Sequence, residues 1–435
     1  MADDTSETGL VSRVSDWRST RRSFVAGVGS AAGLGAFTGN GAAQMGSDPV
    51  RSGAVSLVYR ENGQYRVTDG TGVAFRTTAD GNAEEAFQYA FDAVPDGGGT
   101  VVAAADTFRF GGPATLGDDT ALTGQRGTRF VGSQVGRRDD PLPTDDQENP
   151  LPRGHDLIRV RGDNAAVTNV EFDGAGTQLD SHAVQADDCT GVLIANNRTV
   201  NGFQMALSFT GCENVVVRGN EVVNPNWYGI TSRGAPEGGD RDLKRSTDVV
   251  VAENRVSGMK FNNIATYNVS NFAVVGNVVF DGGHSLIACS PAQQGTIVGN
   301  VCRNLNKFGG DPGGEAGIEI EYKETHLSEA VAGTPAATSY DITVSGNQIE
   351  NCEVGFISRT VPADAADTDP REERRPYSFT VTGNAINDCE AAGIRIRSGA
   401  SGVVATNTIR NTGTAIDVDD AFTEDVQRDL NVARD

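Results

Sequence analysis

The sequence predicts an all-β solenoid, a parallel β-helix, and the main observation behind it is a repeated asparagine. Eight asparagines each follow a short β-branched run, as in the segment VVRGN that ends at Asn220. Four of the seven intervals between them are 23 residues, and the other three are 34, 47 and 37. A repeat of this length with strand-like runs, Gly-Asn corners and few helical stretches is typical of one coil of a parallel β-helix. The eight are Asn197, Asn220, Asn254, Asn277, Asn300, Asn347, Asn384 and Asn407.

Residues 1–45 are interpreted as a twin-arginine export signal and linker. Residues 20–25, TRRSFV, form the twin-arginine pattern, and a Gly/Ala-rich run follows at 26–37. A stretch of small residues ends near 42–44, where we expect the cleavage point. The run is too short and too rich in glycine to span a membrane stably. We therefore expect a secreted or extracellular protein with no membrane insertion.

The net charge of the chain limits the classes of partner that it can bind. The formal net charge is −22, and Lys occurs only four times, so nearly all of the basic residues are Arg. Such acidity argues against nucleic acid or an anionic membrane as the partner. An acidic, Lys-poor surface suits a protein that stays soluble in high salt, where screening reduces self-repulsion. We therefore expect a halophilic source.

Residues 46–155 are predicted to form an N-terminal cap and the first strands. Apolar residues recur at helical spacing over 83–94, and the segment PDGGG at 95–99 ends this helix. A solenoid needs its open end covered, and an amphipathic helix before the first coil provides that cover.

The order of these elements carries a family resemblance. A helix, the segment GGGTV at 97–101 and a short strand resemble the N-terminal cap of the pectate-lyase-like superfamily of right-handed β-helices. The later Val-x-Gly-Asn-x-Val and Gly-Ile repeats are similar to that superfamily's coils. The resemblance covers about 65–420 and implies a right-handed parallel β-helix whose carbohydrate cleft runs along the first sheet. It is specific for fold and not for chemistry, because the superfamily holds lyases, hydrolases, epimerases and non-enzymes.

Residues 156–422 are predicted to form the coils, and 423–435 a polar tail. In each coil one strand ends at the asparagine, a second follows it, and a third, which the family calls the first sheet, begins near a Gly-Ile pair. The 47-residue interval contains either insertions or an extra, weakly marked coil. Long loops on a rigid scaffold often carry function. The long intervals place insertions on both sides of the first sheet, around 234–246, 306–314, 325–340 and 360–378.

Alternation along the strands sorts first-sheet residues into inward and outward columns. Near one strand it predicts Leu286 and Ala288 as inward and Ile287 and Cys289 as outward. Just before these strands lie Trp227, Tyr228, Asn262, His284 and Glu315. The outward columns concentrate charged and aromatic residues: Arg233, Tyr267, Glu319, Glu321, Arg359, Arg395 and Arg397.

Two glutamates and an arginine are the catalytic candidates. Glu319 and Glu321 are two residues apart, about 7 Å by strand rise, which suits the acid and base of an inverting glycosidase. Crowding of carboxylates raises the pKa of one of them, as a general acid requires. Arg359 completes the set. The alternative is that Glu321 and Arg359 form an ordinary cross-strand ion pair.

A lyase would use the same face differently. Arginines stabilise the developing enolate, while Tyr267, His284 or Lys260 moves the proton. The arginine column would bind uronate carboxylates bidentately. Trp227 and Tyr228 either stack on sugar rings or pack beneath the 234–246 loop.

These observations predict an exported polysaccharide-active enzyme, a lyase or glycoside hydrolase, that acts on an acidic glycan. We expect the polysaccharide to be its partner and the protein to be a monomer. One alternative is a non-catalytic secreted β-helix that binds glycan or a cell surface. A second alternative is a uronate epimerase.

Cysteines and acidic loops leave further alternatives open. Cys189 and Cys212 share one coil phase, and so do Cys352 and Cys389. Stacked strands lie about 4.8 Å apart, within the range that a disulfide tolerates, so each pair is either bonded or a pair of stacked thiols. No zinc spacing and no cofactor are identified. Calcium remains a candidate, or a solvated acidic loop in its place, at Asp364, Asp367 and Asp369.

Overall fold

The predicted β-helix is confirmed, and the described residues include one helix, at its N-terminal end. Within the described residues, all strand pairs of the coils are parallel. Antiparallel pairing is confined to β1 (Ala54–Glu61), β2 (Gln64–Thr68) and β3 (Val73–Arg76) and to one short hairpin. The helix is α1 (Ala83–Asp92), and the short hairpin consists of β9 (Gly136–Arg137) and β10 (Pro152–Arg153). The computed structural model describes residues 54–69, 72–78, 81–133, 136–137, 152–153, 155–176, 181–232, 245–305, 316–323, 338–361 and 375–434.

Three sheets run the length of the solenoid. The first sheet consists of β6 (Ala114–Leu116), β11 (Ile158–Val160), β14 (His182–Asp187), β17 (Met205–Thr210), β20 (Tyr228–Thr231), β23 (Ile264–Thr266), β26 (Ser285–Cys289), β29 (Ala316–Lys323), β32 (Val354–Val361), β35 (Ala392–Ile396) and β39 (Ile416–Val418). The second sheet consists of β1 (Ala54–Glu61), β2 (Gln64–Thr68), β3 (Val73–Arg76), β4 (Gly99–Ala103), β7 (Thr120–Gly124), β12 (Ala166–Thr168), β15 (Thr190–Ala195), β18 (Glu213–Arg218), β21 (Ser246–Ala252), β24 (Val269–Val275), β27 (Ala292–Val298), β30 (Tyr340–Ser345), β33 (Tyr377–Thr382), β36 (Gly399–Ala400), β37 (Val403–Ala405), β40 (Thr423–Glu424) and β41 (Gln427–Asp429). The third sheet consists of β5 (Thr107–Arg109), β8 (Arg129–Val131), β13 (Glu171–Asp173), β16 (Arg198–Val200), β19 (Glu221–Val223), β22 (Arg255–Ser257), β25 (Val278–Gly282), β28 (Val301–Leu305), β31 (Gln348–Glu350), β34 (Ala385–Asn387), β38 (Thr408–Arg410) and β42 (Val432–Arg434).

The repeated asparagines form a buried ladder at the corner between the second and third sheets. Asn254 Oδ1 accepts hydrogen bonds from the backbone N–H of Asn220 at 2.9 Å and from its Nδ2 at 3.0 Å. Asn220 Nδ2 also donates to the carbonyl of Ile194 at 2.9 Å. The same pattern links all eight asparagines and continues to a ninth, Asn431. Each amide thus satisfies the neighbouring coil, which explains why the residue repeats.

The irregular intervals do not interrupt the coils. Gln293 of β27 pairs with Tyr340 of β30 across the 47-residue interval, so this interval closes a single coil and the alternative of an extra coil is wrong. At the C-terminal end, the residues predicted as a polar tail include β40, β41 and β42, which pair with β36, β37 and β38 as another coil. Most of the predicted insertions lie outside the described residues, as do the export signal and the three calcium candidates.

Helix α1 covers the first coil, as predicted. Its apolar face is buried, and the Phe87 ring lies 5.1 Å from the Phe108 ring and 4.8 Å from the Phe130 ring, measured between centroids. Phe108 and Phe130 belong to β5 and β8 of the first coils. The helix therefore closes the end of the apolar core with aromatic packing. No helix among the described residues is long and apolar enough to cross a membrane.

The core is a stack of aliphatic columns, and one predicted register is wrong. Ile264 pairs with Ile287, and Ile287 with Ile318, so Ile287 belongs to the inward column. Cys289 also lies in the core, whereas Ala288 lies on the outward face with Tyr267. The predicted sides of Ile287, Ala288 and Cys289 are therefore corrected. The reason is the period itself, because Ile287 is 23 residues after Ile264.

All six cysteines are buried and free. Cys189 and Cys212 lie on adjacent coils with their thiols in contact, and Cys389 lies one coil from Cys352. The stacked-thiol alternative describes this structure. Burial raises the pKa of Cys302 and of Cys389, so both thiols are poor nucleophiles.

Candidate functional site

The outward face of the first sheet brings the candidate catalytic residues together. Glu321 of β29 is directly opposite Arg359 of β32, and Glu319 is two residues earlier on β29. The guanidinium of Arg359 reaches both side chains: its Nε contacts Glu319 Oε1, and its Nη2 lies 3.5 Å from Glu321 Oε2. Strand register thus positions one cation between two carboxylates.

These three residues are enclosed. Glu319 is 0% exposed, Glu321 1% and Arg359 9%. Burial lowers the pKa of the Arg359 guanidinium, but Glu319 and then Glu321 raise it by more, so its pKa lies above the usual value. The cluster is therefore built around a permanent positive charge. We call Glu319, Glu321, Arg359 and the adjacent Ser285 the Arg359 cluster.

A hydrogen-bonded chain of side chains extends from this cluster. Ser285 Oγ donates to Glu319 Oε2 at 2.6 Å, and His284 Nδ1 lies 3.8 Å from the same oxygen. His284 Nδ1 also lies 3.1 Å from Asn262 Oδ1. Because that oxygen accepts the Ser285 backbone N–H as well, Nδ1 is the donor of this pair. Asn262 Nδ2 in turn donates to the hydroxyl of Tyr267.

Stacked rings continue along the same face. The Phe261 ring stacks on His284 at 4.4 Å and on Trp227 at 5.8 Å. Tyr228 meets Phe261 edge-on at 5.4 Å and Tyr267 edge-on at 6.0 Å. Trp227 is partly exposed, whereas Tyr228 and Tyr267 are buried. Trp227 is thus the one of these three side chains that presents part of its ring at the surface.

The remaining arginine candidates lie apart from the Arg359 cluster or outside the described residues. Arg395 Nε lies 2.9 Å from Asp417 Oδ2, and Arg397 Nη2 lies 3.7 Å from the same oxygen. Both arginines therefore lie beside an acid at the C-terminal end of the first sheet, and Arg395 is on the strand after that of Arg359. Arg233 lies outside the described residues.

Two residues of the site are not among those that the sequence points to: Phe261 and Ser285. The asparagine intervals contain the signal that would have found them. Trp227, Phe261 and His284 are separated by 34 and 23 residues, the same intervals as the corresponding ladder asparagines. Equal intervals place side chains at the same position in adjacent coils, so ring stacking follows from the spacing.

The geometry bears on the two kinds of chemistry differently. An inverting glycosidase keeps water between its two carboxyl groups, whereas here a guanidinium contacts both. Tyrosine, asparagine and histidine joined by hydrogen bonds beside an arginine suit proton transfer next to a developing negative charge. Among the described residues, no group of three or more His, Cys, Asp or Glu side chains is placed to hold a metal ion.

Two surface cavities lie away from the Arg359 cluster. One, of ≈ 550 Å³, is lined by residues of the C-terminal coils such as Ser401 and Arg428. The other, of ≈ 470 Å³, lies beside Cys352 and Cys389. Neither is lined by a residue of the hydrogen-bonded chain.

Comparison with known proteins agrees with this fold. Residues 156–356 match the family model described as right handed beta helix region. No curated protein matches the sequence.

Several solved structures resemble the chain at low identity. The surface adhesin PfbA of Streptococcus pneumoniae has a TM-score of 0.54 at 14% identity, covering 81% of this chain and 88% of that one. The A-module of mannuronan C-5 epimerase AlgE4 from Azotobacter vinelandii has 0.54 at 14%, covering 79% and 95%. A hyperthermoactive exopolygalacturonase from Thermotoga maritima has 0.53 at 14%, covering 81% and 88%. At such identity the likeness concerns the fold alone.

Proposed function

We propose that this right-handed parallel β-helix protein is an exported enzyme that acts on an acidic polysaccharide along the outward face of its first sheet. The observation that carries the proposal is the Arg359 cluster joined by hydrogen bonds to His284, Asn262 and Tyr267. Structural neighbours that include an exopolygalacturonase and mannuronan epimerases support a polysaccharide as the substrate.

Elimination is the reaction that this arrangement favours. Arg359 would donate hydrogen bonds to the uronate carboxylate as negative charge develops on the sugar, while Tyr267 or His284 takes the proton from the carbon next to that carboxylate. The glycosidic C–O bond one carbon further then breaks as a C=C double bond forms, and the departing oxygen takes up a proton from that same side chain or from water. Glu319 and Glu321 would hold the guanidinium in position. In a hydrolysis, Glu319 and Glu321 would instead be the general acid and the general base. Epimerisation begins with the same proton removal and returns a proton to the opposite face of the ring.

A panel of acidic and neutral polysaccharides, tested in high salt with and without calcium, separates these reactions. Elimination gives an unsaturated product that absorbs ultraviolet light, hydrolysis gives new reducing ends without that absorbance, and epimerisation changes the sugar composition without cleavage. The expected result is absorbance on a uronate polymer. Reducing ends alone would replace elimination by hydrolysis, and no turnover on any polymer would overturn the enzyme proposal.

Two variants test the roles of the residues. Tyr267→Phe removes one hydroxyl and is expected to lower kcat by roughly 10²-fold or more, as loss of an acid–base group does. Glu319→Gln is expected to lower kcat as well, because it weakens the contact that holds Arg359 in position. The matched control is Glu221→Gln on the third sheet, where the glutamate is 3.0 Å from Arg198 and partly exposed. Unfolding midpoints separate loss of chemistry from loss of fold, and equal kcat in Tyr267→Phe and Glu221→Gln would remove Tyr267 from the mechanism.

The second candidate is a non-catalytic glycan-binding β-helix. The enclosure of Arg359, Tyr267 and His284, at 9%, 1% and 6% exposure, favours it, because a group that acts on the sugar must reach it. The adhesin among the structural neighbours shows that this fold also occurs in a surface protein. Saturable binding of a polysaccharide with no product in any of the three assays would support this candidate.

A further inference from the structure

A histidine and an aspartate form a buried pair at the N-terminal end of the first sheet. His182 Nδ1 lies 2.6 Å from Asp156 Oδ1, and Arg159 Nε lies 2.6 Å from the other carboxylate oxygen. His182 is 3% exposed and Asp156 6%. Burial raises the pKa of Asp156, but the contacts with His182 and Arg159 lower it by more, to about 2. The carboxylate therefore holds the imidazole in one orientation.

This pair lies on the same outward face as the Arg359 cluster. His182 is opposite Met205 in the sheet, and Met205 is opposite Tyr228. Met205 and Tyr228 pack on the outward face with Tyr267. From β14, which carries His182, to β29, which carries Glu319, are five strand steps, or about 24 Å at about 4.8 Å a step.

Two buried polar atoms on β14 have no hydrogen-bond partner among the residues that the structure describes. One is His182 Nε2 and the other is Gln185 Oε1. Gln185 is 5% exposed, and its Nε2 donates to Asp187 Oδ1, so its carbonyl oxygen is the atom left over. Folded proteins rarely leave such atoms unsatisfied, and here two occur on one strand and one face. Both point to a ligand that supplies hydrogen-bonding groups.

The charges around these atoms identify the chemistry of that ligand. Asp156 pairs with Arg159, and Arg161 Nη2 lies 2.9 Å from Asp187 Oδ2. Two acids and two arginines cancel, so within the described part of the chain no uncompensated cation faces the two open atoms. A carboxylate would find no charge partner there, whereas a hydroxyl group can donate to Gln185 Oε1 and to an unprotonated His182 Nε2.

We propose that His182 and Gln185 form a second carbohydrate subsite, which binds sugar hydroxyl groups of a glycan that also spans the Arg359 cluster. Asp156 acts as the positioning residue for His182. This proposal rests on the proposed function, because it concerns the same substrate on the same face. The subsite makes affinity depend on the length of the glycan chain, and His182 and Gln185 on β14 account for that dependence.

The test compares short and long oligosaccharides of the uronate that the panel identifies. His182→Asn keeps a donor for Asp156 and removes the atom at Nε2, and Gln185→Met removes the carbonyl with little change in shape. Each is expected to raise KM, or Kd if there is no turnover, by about tenfold for the long chain, which corresponds to one hydrogen bond. The short chain, seated at the Arg359 cluster, is expected to keep its kcat and KM.

The matched control is His155→Asn. His155 belongs to the same part of the chain, and its ring nitrogens contact the carbonyls of Asp156 at 2.8 Å and Phe110 at 3.2 Å, so neither is open. The control is expected to leave the length dependence intact. If both test variants match the parent on long chains, or lose short and long chains equally, the subsite is wrong while the proposed function stands. If no glycan of either length binds the parent protein, both proposals fall.

Discussion

At the scale of single residues, the buried asparagine amides do more than fill the corner of each coil. Asn277 Oδ1 accepts from the backbone and side chain of Asn254, and Asn277 Nδ2 donates to the carbonyl of Val251 and to Asn300. Each amide therefore satisfies groups on both neighbouring coils. Removing one leaves several buried partners unpaired, and this cost exceeds that of losing one hydrogen bond.

We expect Asn277→Ala to lower the free energy of unfolding by about 3 kcal/mol or more, because it strands the backbone N–H of Asn254 and the carbonyl of Val251. Urea denaturation at constant salt measures the change. The matched control is Asn387→Ala, at a half-buried position on β34 outside the ladder, with an expected change within about 0.5 kcal/mol. Equal losses in the two variants would contradict the role of the ladder.

The ladder shows what residue patterns can predict. Periodicity identified the asparagines as structural because each occupies an equivalent environment in every coil. The same spacing relates Trp227, Phe261 and His284, which stack. His182 and Asp156 carry no such signal, because they are 26 residues apart and the position of His182 is taken by Met205 in the next coil. A repeat predicts only contacts that recur from coil to coil, and the contact between His182 and Asp156 occurs once.

At the scale of secondary-structure elements, helix α1 closes a core that would otherwise end in exposed aromatic rings. Its hydrophobic side chains face the first coils, and Glu84 Oε2 accepts the backbone N–H of Gly111 at 2.8 Å. The helix was predictable because its apolar spacing differs from the alternation of the strands. Its partners Phe108 and Phe130 followed only from the structure.

We expect Phe87→Ala to destabilise the protein by about 3–5 kcal/mol, the usual range for a buried phenylalanine. Because each coil contacts mainly its neighbours, the effect should be local. Hydrogen exchange should accelerate in β4, β5 and β8 and stay unchanged in β33 and β34. The control is Glu85→Ala on the exposed side of the same helix. Uniform acceleration along the whole chain would show instead that the solenoid unfolds as one cooperative unit.

At the scale of the whole molecule, the repeat predicted the fold because every coil contributes to the same signal. The candidate site depends on the coils that differ. Glu319, Glu321 and Arg359 were selected for their shared face, and the structure joins them. Their enclosure was not predicted, because the exposure of one face depends on everything packed against it and not on strand alternation. The register of β26 differs from the predicted one because Leu286 and Ile287 are both apolar and both buried, so polarity does not distinguish the two sides there.

The net charge of −22 is a property of the whole molecule and sets its response to salt. Like charges repel in the compact state, and screening shortens their reach to about 10 Å at 0.1 M salt and about 3 Å at 1 M. We therefore expect the urea midpoint to rise with potassium chloride and to level off near molar concentrations.

A triple variant, Glu85→Gln, Asp96→Asn and Asp429→Asn, changes three exposed acids without touching the core. It should be more stable than the parent at low salt and equal to it at high salt, because at high salt the ions already screen the repulsion that the substitutions remove. A midpoint independent of salt, or a variant that tracks the parent throughout, would show that self-repulsion does not limit stability and would remove the physical argument for adaptation to high salt.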